Sequence, residues 1–331
     1  MKLHSIFTDN AVFQANKPIS IFGSGKGHAT VTFNDVTVDV NSSDDTWCIT
    51  LPKMNYGGPY TLEFSSDDEV KALHEIYIGE VFLFAGQSNM AFKLENTNTP
   101  NSYYSDAFPS LRYIEITESE TIKPWALANG LCVGDWSALG YIAGKECSIK
   151  KGVAVGIICC AQGASVIESW LPEKALENIG ITLTPEQKFS DHYHKEYGKW
   201  NSDAFLYRQR ISRVIPYTLS GVVWYQGESD ASPEEGAVYL RELEELIRTW
   251  RIDFKNPQLP FVIVQIADTK SRIALGEGWR LIQKAQLEIS RSLPNVYTVI
   301  SGDICETDDI HPKSKYTLAL RIADTILKKI I

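Results

Sequence analysis

Val81-Phe82-Leu83-Phe84-Ala85, running straight into Gly86-Gln87-Ser88-Asn89-Met90, decides how the 331-residue chain is read. Five consecutive apolar residues, too few for a core helix and unbroken by polar alternation, make a strand buried on both faces of a sheet. The glycine and polar residues behind them end that strand in a tight turn. A serine on such a turn is held exposed, its hydroxyl facing the crevice above the sheet. Backbone N–H groups at the start of the following helix lie beside it, ready to stabilise an oxyanion. A serine capping an ordinary helix fits the same five residues, so the pentapeptide alone supports both readings.

Downstream, the pattern repeats. Apolar runs recur at Val153–Cys160, Gly221–Tyr225, Phe261–Ile266 and Val296–Ile300. Helical patterns fall between them, notably Glu234–Trp250 and Trp279–Ser292. A last helix is expected after Pro312, with Ala319, Ile322, Ala323, Ile326, Leu327 and Ile330 on one face. Strands alternating with helices predict a doubly wound α/β domain over residues 79–331, with a parallel sheet of about five strands. Upstream, the character differs. Thr30–Phe33, Asn34-Asp35 and Val36–Val40 read as a period-two hairpin, Pro18–Phe22, Trp47–Leu51 and Tyr60–Phe64 as further strands, and Gly57-Gly58-Pro59 as a turn. Residues 1–78 are therefore expected to form a small antiparallel β-sandwich.

Ligands in open α/β sheets bind beyond the carboxyl ends of the strands, so the residues after each run carry the chemistry. Gln162-Gly163-Ala164-Ser165 follows the second run. Gly163 can lend a backbone N–H to an oxyanion, because no side chain blocks approach, or it is simply a turn. Gln226-Gly227-Glu228-Ser229-Asp230 follows the third. There an amide can donate to a developing negative oxygen and a carboxylate can orient a histidine, although a solvated loop has the same composition. Near the C-terminus, Asp308-Asp309-Ile310-His311 holds an Asp-x-x-His pair. One side chain can fix the imidazole tautomer while the other ring nitrogen takes a serine proton. His192 and His194 form a His-x-His pair, but their polar neighbours read as a solvated loop rather than a metal site. Trp170 and Trp224 lie beside these blocks and suit either sugar stacking or the core.

Composition narrows the field. With 44% apolar and 22% charged residues the chain can fill a large core, and a net charge of −9 argues against nucleic acid or an anionic membrane as partner. No apolar stretch is long enough to cross a bilayer, and Met1–Phe13 lacks the apolar core of a signal peptide. The six cysteines match no zinc spacing, and Cys159-Cys160 reads as buried free thiols. A cytoplasmic location is expected. Nothing speaks against a homo-oligomer.

Taken together, Gly86-Gln87-Ser88-Asn89-Met90, Gln226-Gly227-Glu228-Ser229 and the late Asp-x-x-His resemble the SGNH-hydrolase superfamily, which is flavodoxin-like in fold. More narrowly, they resemble the sialate O-acetylesterases and the related acetylxylan esterases. The resemblance covers nearly the whole chain. It implies a serine esterase that removes O-acetyl groups from a small acetylated sugar or oligosaccharide, without metal or organic cofactor. It makes Ser88 the nucleophile, His311 the general base, and the N–H groups of Ser88 and Gly163 oxyanion donors. The third donor is Gln226 or Ser229, and the triad acid is Asp308 or Glu228. Gln87, Asn89 and Trp170 are expected to contact the sugar. Two departures from the family pattern, Gln162 in place of a glycine and Asp230 where relatives often carry asparagine, bear on substrate identity. Acetylated xylan, another glycan, and a non-catalytic carbohydrate-binding role are the alternatives.

Overall fold

A computed structural model describes residues 1–180, 198, 200–268, 276–305 and 309–331. The first seven strands are β1 (Lys2–Leu3), β2 (Val12–Gln14), β3 (Ile19–Ser24), β4 (Gly27–Phe33), β5 (Val36–Ser42), β6 (Thr46–Leu51) and β7 (Gly57–Ser66). Strands β1, β3 and β6 form a three-stranded antiparallel sheet. Strands β4, β5 and β7 pair antiparallel and attach through β7 to β8 (Val70–Gly86), against which β2 also pairs, in parallel. The two sheets face each other through Trp47 of β6 and Phe64 of β7, whose rings stack 5.6 Å apart.

This arrangement differs from a detached sandwich because β8 is 17 residues long and serves both halves of the molecule. Its first part pairs with β7 and its second with the parallel strands, so residue 78, where the sequence changes character, lies within one strand. The burial pattern changes along β8 accordingly: at first only Leu73 and Ile76 are buried, then burial is continuous from Ile78 to Gly86. Glu80, at the junction, is buried and accepts hydrogen bonds from Gln14 Nε2, Tyr56 and Ser220. Gly57-Gly58-Pro59 belongs to β7 rather than to a turn; the ladder to β8 loses register there.

The remaining strands are β9 (Phe108–Glu115), β10 (Ala126–Ala128), β11 (Val155–Ala161), β12 (Gly221–Tyr225), β13 (Phe261–Val264) and β14 (Val296–Val299), in the order β10-β9-β11-β8-β12-β13-β14. All but β10 are parallel. The five anticipated runs, taken in chain order, stand 2-1-3-4-5, the flavodoxin order. Strand β9 adds a sixth parallel member and β10 an antiparallel edge, both beyond the five expected. The helices are α1 (Ser88–Ala91), α2 (Ala138–Lys151), α3 (Glu173–Ile179), α4 (Phe205–Gln209), α5 (Pro233–Asp253), α6 (Glu277–Ser292) and α7 (Lys315–Lys329). Helix α2 packs with α7, and α5 with α6 and α3. Helix α7 starts at Lys315 rather than at Pro312, with Ser314 as its N-terminal flank. No described helix is long and apolar enough to cross a membrane.

Strand order reverses at β8, between β11 and β12. A crevice opens between β8 and β12, because the connections leaving these two adjacent strands go to opposite faces. The three motif-bearing loops leave these three strands.

Candidate active site

Each strand end delivers its loop for a local reason. At the tip of β8, Gly86 adopts φ +142°, and a Cβ there would meet the Tyr225 carbonyl oxygen at 2.0 Å. Only glycine lets β8 turn this close to β12. The turn leaves Ser88 half-buried at the start of α1. Across the crevice, a Cβ on Gly163 would lie 3.6 Å from the Ser88 Cβ, so the loop after β11 rests against the serine. His311 arrives on the approach to α7, where its N–H donates to Asp309 Oδ1 at 2.8 Å. Its Nε2 lies 2.8 Å from Ser88 Oγ.

Ser88, His311, Gly163, Trp200, Glu228 and Ser229 are among the residues lining a cavity of about 360 Å3 at this point. Burial lowers the His311 pKa, and the nearby Lys315 ammonium lowers it further, with Asp309 opposing. The neutral imidazole that results can accept a hydroxyl proton. Phe92 stacks beside the imidazole, and Lys315 Nζ lies 4.9 Å from the centroid of the Phe92 ring.

Several expected roles are corrected by where the side chains point. Gln226 is fully buried and absent from the cavity wall. Its Nε2 donates to Ser165 O at 2.8 Å and to Asp230, while its Oε1 accepts from Tyr239 at 2.9 Å. Both amide hydrogens are committed, which leaves none for an oxyanion. Asn89 is likewise fully buried. Its Oδ1 accepts from Lys315 Nζ at 2.6 Å, and its Nδ2 donates to Glu228 Oε1 and Ile310 O at 2.6 and 2.9 Å, so it ties three segments together rather than reaching a sugar. Glu228 therefore pairs with Asn89, not with His311. Burial raises its pKa, with Asn89 and Lys315 opposing. Trp170 is a core residue: it is fully buried, donates to Ser165 Oγ and packs edge-on against Trp224 at 5.6 Å.

Gln87 lines the cavity and is tied to the third loop: Oε1 accepts from Gly227 N and Ser229 N, and Nε2 donates one hydrogen to Ser229 Oγ. Asp308, His192 and His194 lie outside the described residues. Two contributors escaped sequence reasoning. Trp200 lines the cavity but sits in no motif or periodic segment. Arg210, which is buried, donates to Ala161 O and Gln162 Oε1, fixing the end of β11. Gln162 thus has a partner that a glycine would lack.

Residues 78–328 match the family of carbohydrate esterases described as sialic acid-specific acetylesterases. The chain belongs to this family. It is 25% identical over 348 residues to the sialate O-acetylesterases of Pongo abelii and Homo sapiens, an alignment covering 91% of this chain. The chain spans 65% of the length of those relatives. A crystal structure of a carbohydrate acetylesterase from Xanthomonas citri superposes with a TM-score of 0.86 at 26% identity, covering 99% of this chain and 75% of that one. A probable carbohydrate esterase of Arabidopsis thaliana is 25% identical over 284 residues, covering 79% of this chain and 95% of its own length.

Proposed function

We propose that this member of the family is a serine esterase that removes O-acetyl groups from a sugar. One observation carries the reading: Ser88 Oγ and His311 Nε2 stand 2.8 Å apart inside a cavity at the reversal point of the sheet. That is a nucleophile within hydrogen-bond reach of its base. Ser88 Oγ attacks the acetyl carbonyl carbon as its proton passes to His311 Nε2. The tetrahedral oxyanion is met by the Ser88 and Gly163 N–H groups, each such donor worth about 3–4 kcal/mol when preorganised. With Gln226 committed elsewhere, Ser229 becomes the third donor, since its Oγ accepts from Gln87 and its own hydrogen can turn to the cavity. The C–O bond to the sugar breaks, and the sugar oxygen takes the proton from His311. Water then attacks the acetyl-Ser88 carbonyl by the same route and acetate leaves. Asp308 is the acid of this proposal, because Glu228 is held by Asn89.

For substrate, we infer an acetylated sialic acid from the relatives named sialate O-acetylesterases, with Trp200 as the aromatic wall against the sugar ring. An acetylated neutral glycan is the second reading. It is favoured by the coverage and superposition of the Xanthomonas protein, which is named only as a carbohydrate acetylesterase. Acetate release from 9-O-acetylated sialic acid, acetylated xylo-oligosaccharides and an aryl acetate, with Ser88→Ala alongside, tests both. Release that vanishes in the variant supports the esterase, and the better natural substrate names the sugar. No release from any of the three by folded protein overturns it and leaves the carbohydrate-binding role.

A further inference from the structure

The loop after β11 brings Gly163 against Ser88, and it does so through an unfavourable backbone. Ala164 has φ +53°, the left-handed region that L residues other than glycine avoid. A loop that needs such a conformation at a cavity wall must be held in it by its surroundings.

Asn201 supplies the hold. Its side chain is 5% exposed and outside the cavity wall. Nδ2 donates to Ala164 O at 2.8 Å, and Oδ1 accepts from Val166 N at 3.0 Å. A carbonyl can only accept and an N–H can only donate, so the amide has one orientation here. The two bonds bracket the peptide groups that follow Ala164. The next stretch is pinned separately, Ser165 O by Gln226 and Ile167 N by Asp230 Oδ1 at 2.9 Å. Asn201 itself is anchored through its neighbour: Ser169 Oγ donates to Trp200 O, and Trp200 lines the cavity. The segment that walls the cavity therefore also clamps the loop carrying an oxyanion donor.

We propose that Asn201 is a positioning residue for acyl transfer, whose amide holds Ala164 left-handed and so fixes Gly163 against Ser88. This rests on the esterase reading above. It follows that Asn201 acts on the transition state and not on substrate affinity, because it touches only the loop. A misplacement of the donor by about 1 Å lowers turnover by up to about a hundredfold.

Steady-state kinetics with an aryl acetate test it, together with thermal melting to count folded molecules. For Asn201→Ala, kcat is expected to fall about 10- to 100-fold with KM changed less than about twofold. Adding Ala164→Gly to that variant should recover about five- to tenfold of kcat, because glycine enters the left-handed region without steric cost. A residue that merely supports the fold predicts no such recovery. Should Asn201→Ala not fold, Asn201→Asp takes its place: nearly the same shape, it keeps the acceptor for Val166 N and loses the donor to Ala164 O. The same loss of kcat at constant KM is expected from it. An unchanged kcat per folded molecule overturns the proposal, as does a loss that Ala164→Gly fails to relieve. If Ser88→Ala retains activity, the esterase reading itself has failed. If Ser88→Ala is inactive while Asn201→Ala turns over normally, only the positioning role has failed.

Discussion

Two loops of similar composition stand side by side at the top of the sheet, Gly86–Met90 after β8 and Gln226–Asp230 after β12. Both carry an amide, a serine and a glycine beside the same crevice, and both read from sequence as chemical. They divide the work differently. The first places a hydroxyl 2.8 Å from an imidazole nitrogen. In the second, Gln226 and Asp230 turn away and hold the loop after β11 through Ser165 O and Ile167 N. Glu228 is held by Asn89, and Glu228 and Ser229 line the cavity. Residue type fixes what a side chain can bond, and partners more than 60 residues away in sequence fix which bond it makes. Asp230 is the extreme case: burial, and then the charges of Glu168 and Glu235, push its carboxyl well above the usual range.

Substitutions in the two loops should therefore fail in different ways. Ser88→Ala is expected to lower kcat by roughly 10⁴- to 10⁶-fold without loss of melting temperature, measured on an aryl acetate. Asp308→Ala should lower kcat by about 10⁴-fold, as the acid of a serine triad does. Glu228→Gln, which keeps an acceptor for Asn89, should cost about tenfold or less; equal losses in the two would sink the assignment of the acid. Trp170→Ala should destabilise the fold by about 3–5 kcal/mol. Gln226→Ala should destabilise by about 1–3 kcal/mol through the partners it leaves unpaired. If Gln226→Ala instead cut kcat and left the melting curve alone, the two loops would not differ as described. Trp200→Ala should raise KM for an acetylated sugar by about tenfold while sparing KM for an aryl acetate. Last, kcat/KM should decline on the acid side only below pH 6.5, the usual histidine value, because burial and Lys315 lower the His311 pKa and neutral His311 is the active form. Lys315→Met removes a cation that disfavours imidazolium, so the acid limb should move to higher pH.

The parallel strands were legible because burial on both faces leaves an unbroken apolar run, as in Val81–Ala85 and Gly221–Tyr225. Strand β9 was not: Phe108–Glu115 carries Pro109, Ser110 and Arg112, and only its second half is continuously buried. The continuity of β8 was hidden for a related reason. A strand that changes from one buried face to two changes its sequence signature half-way, and the signature looks like a boundary. At the site, the turns that present Ser88 and Gly163 were legible because tight turns at strand ends have local chemistry. The directions of Gln226, Asn89 and Trp170 were not, since each is set by partners outside its own motif, among them Ser165 O for Gln226, Lys315 for Asn89 and Trp224 for Trp170. Trp200 and Asn201 carried no local signal at all.

The central claim is that Ser88 takes the acetyl group. Mass spectrometry of protein quenched in acid during turnover of an aryl acetate, with Ser88→Ala treated in parallel, tests it most directly. The account predicts an acetyl adduct on the peptide bearing Ser88, and neither adduct nor acetate release in the variant. Acetate release that continues undiminished in folded Ser88→Ala would contradict it.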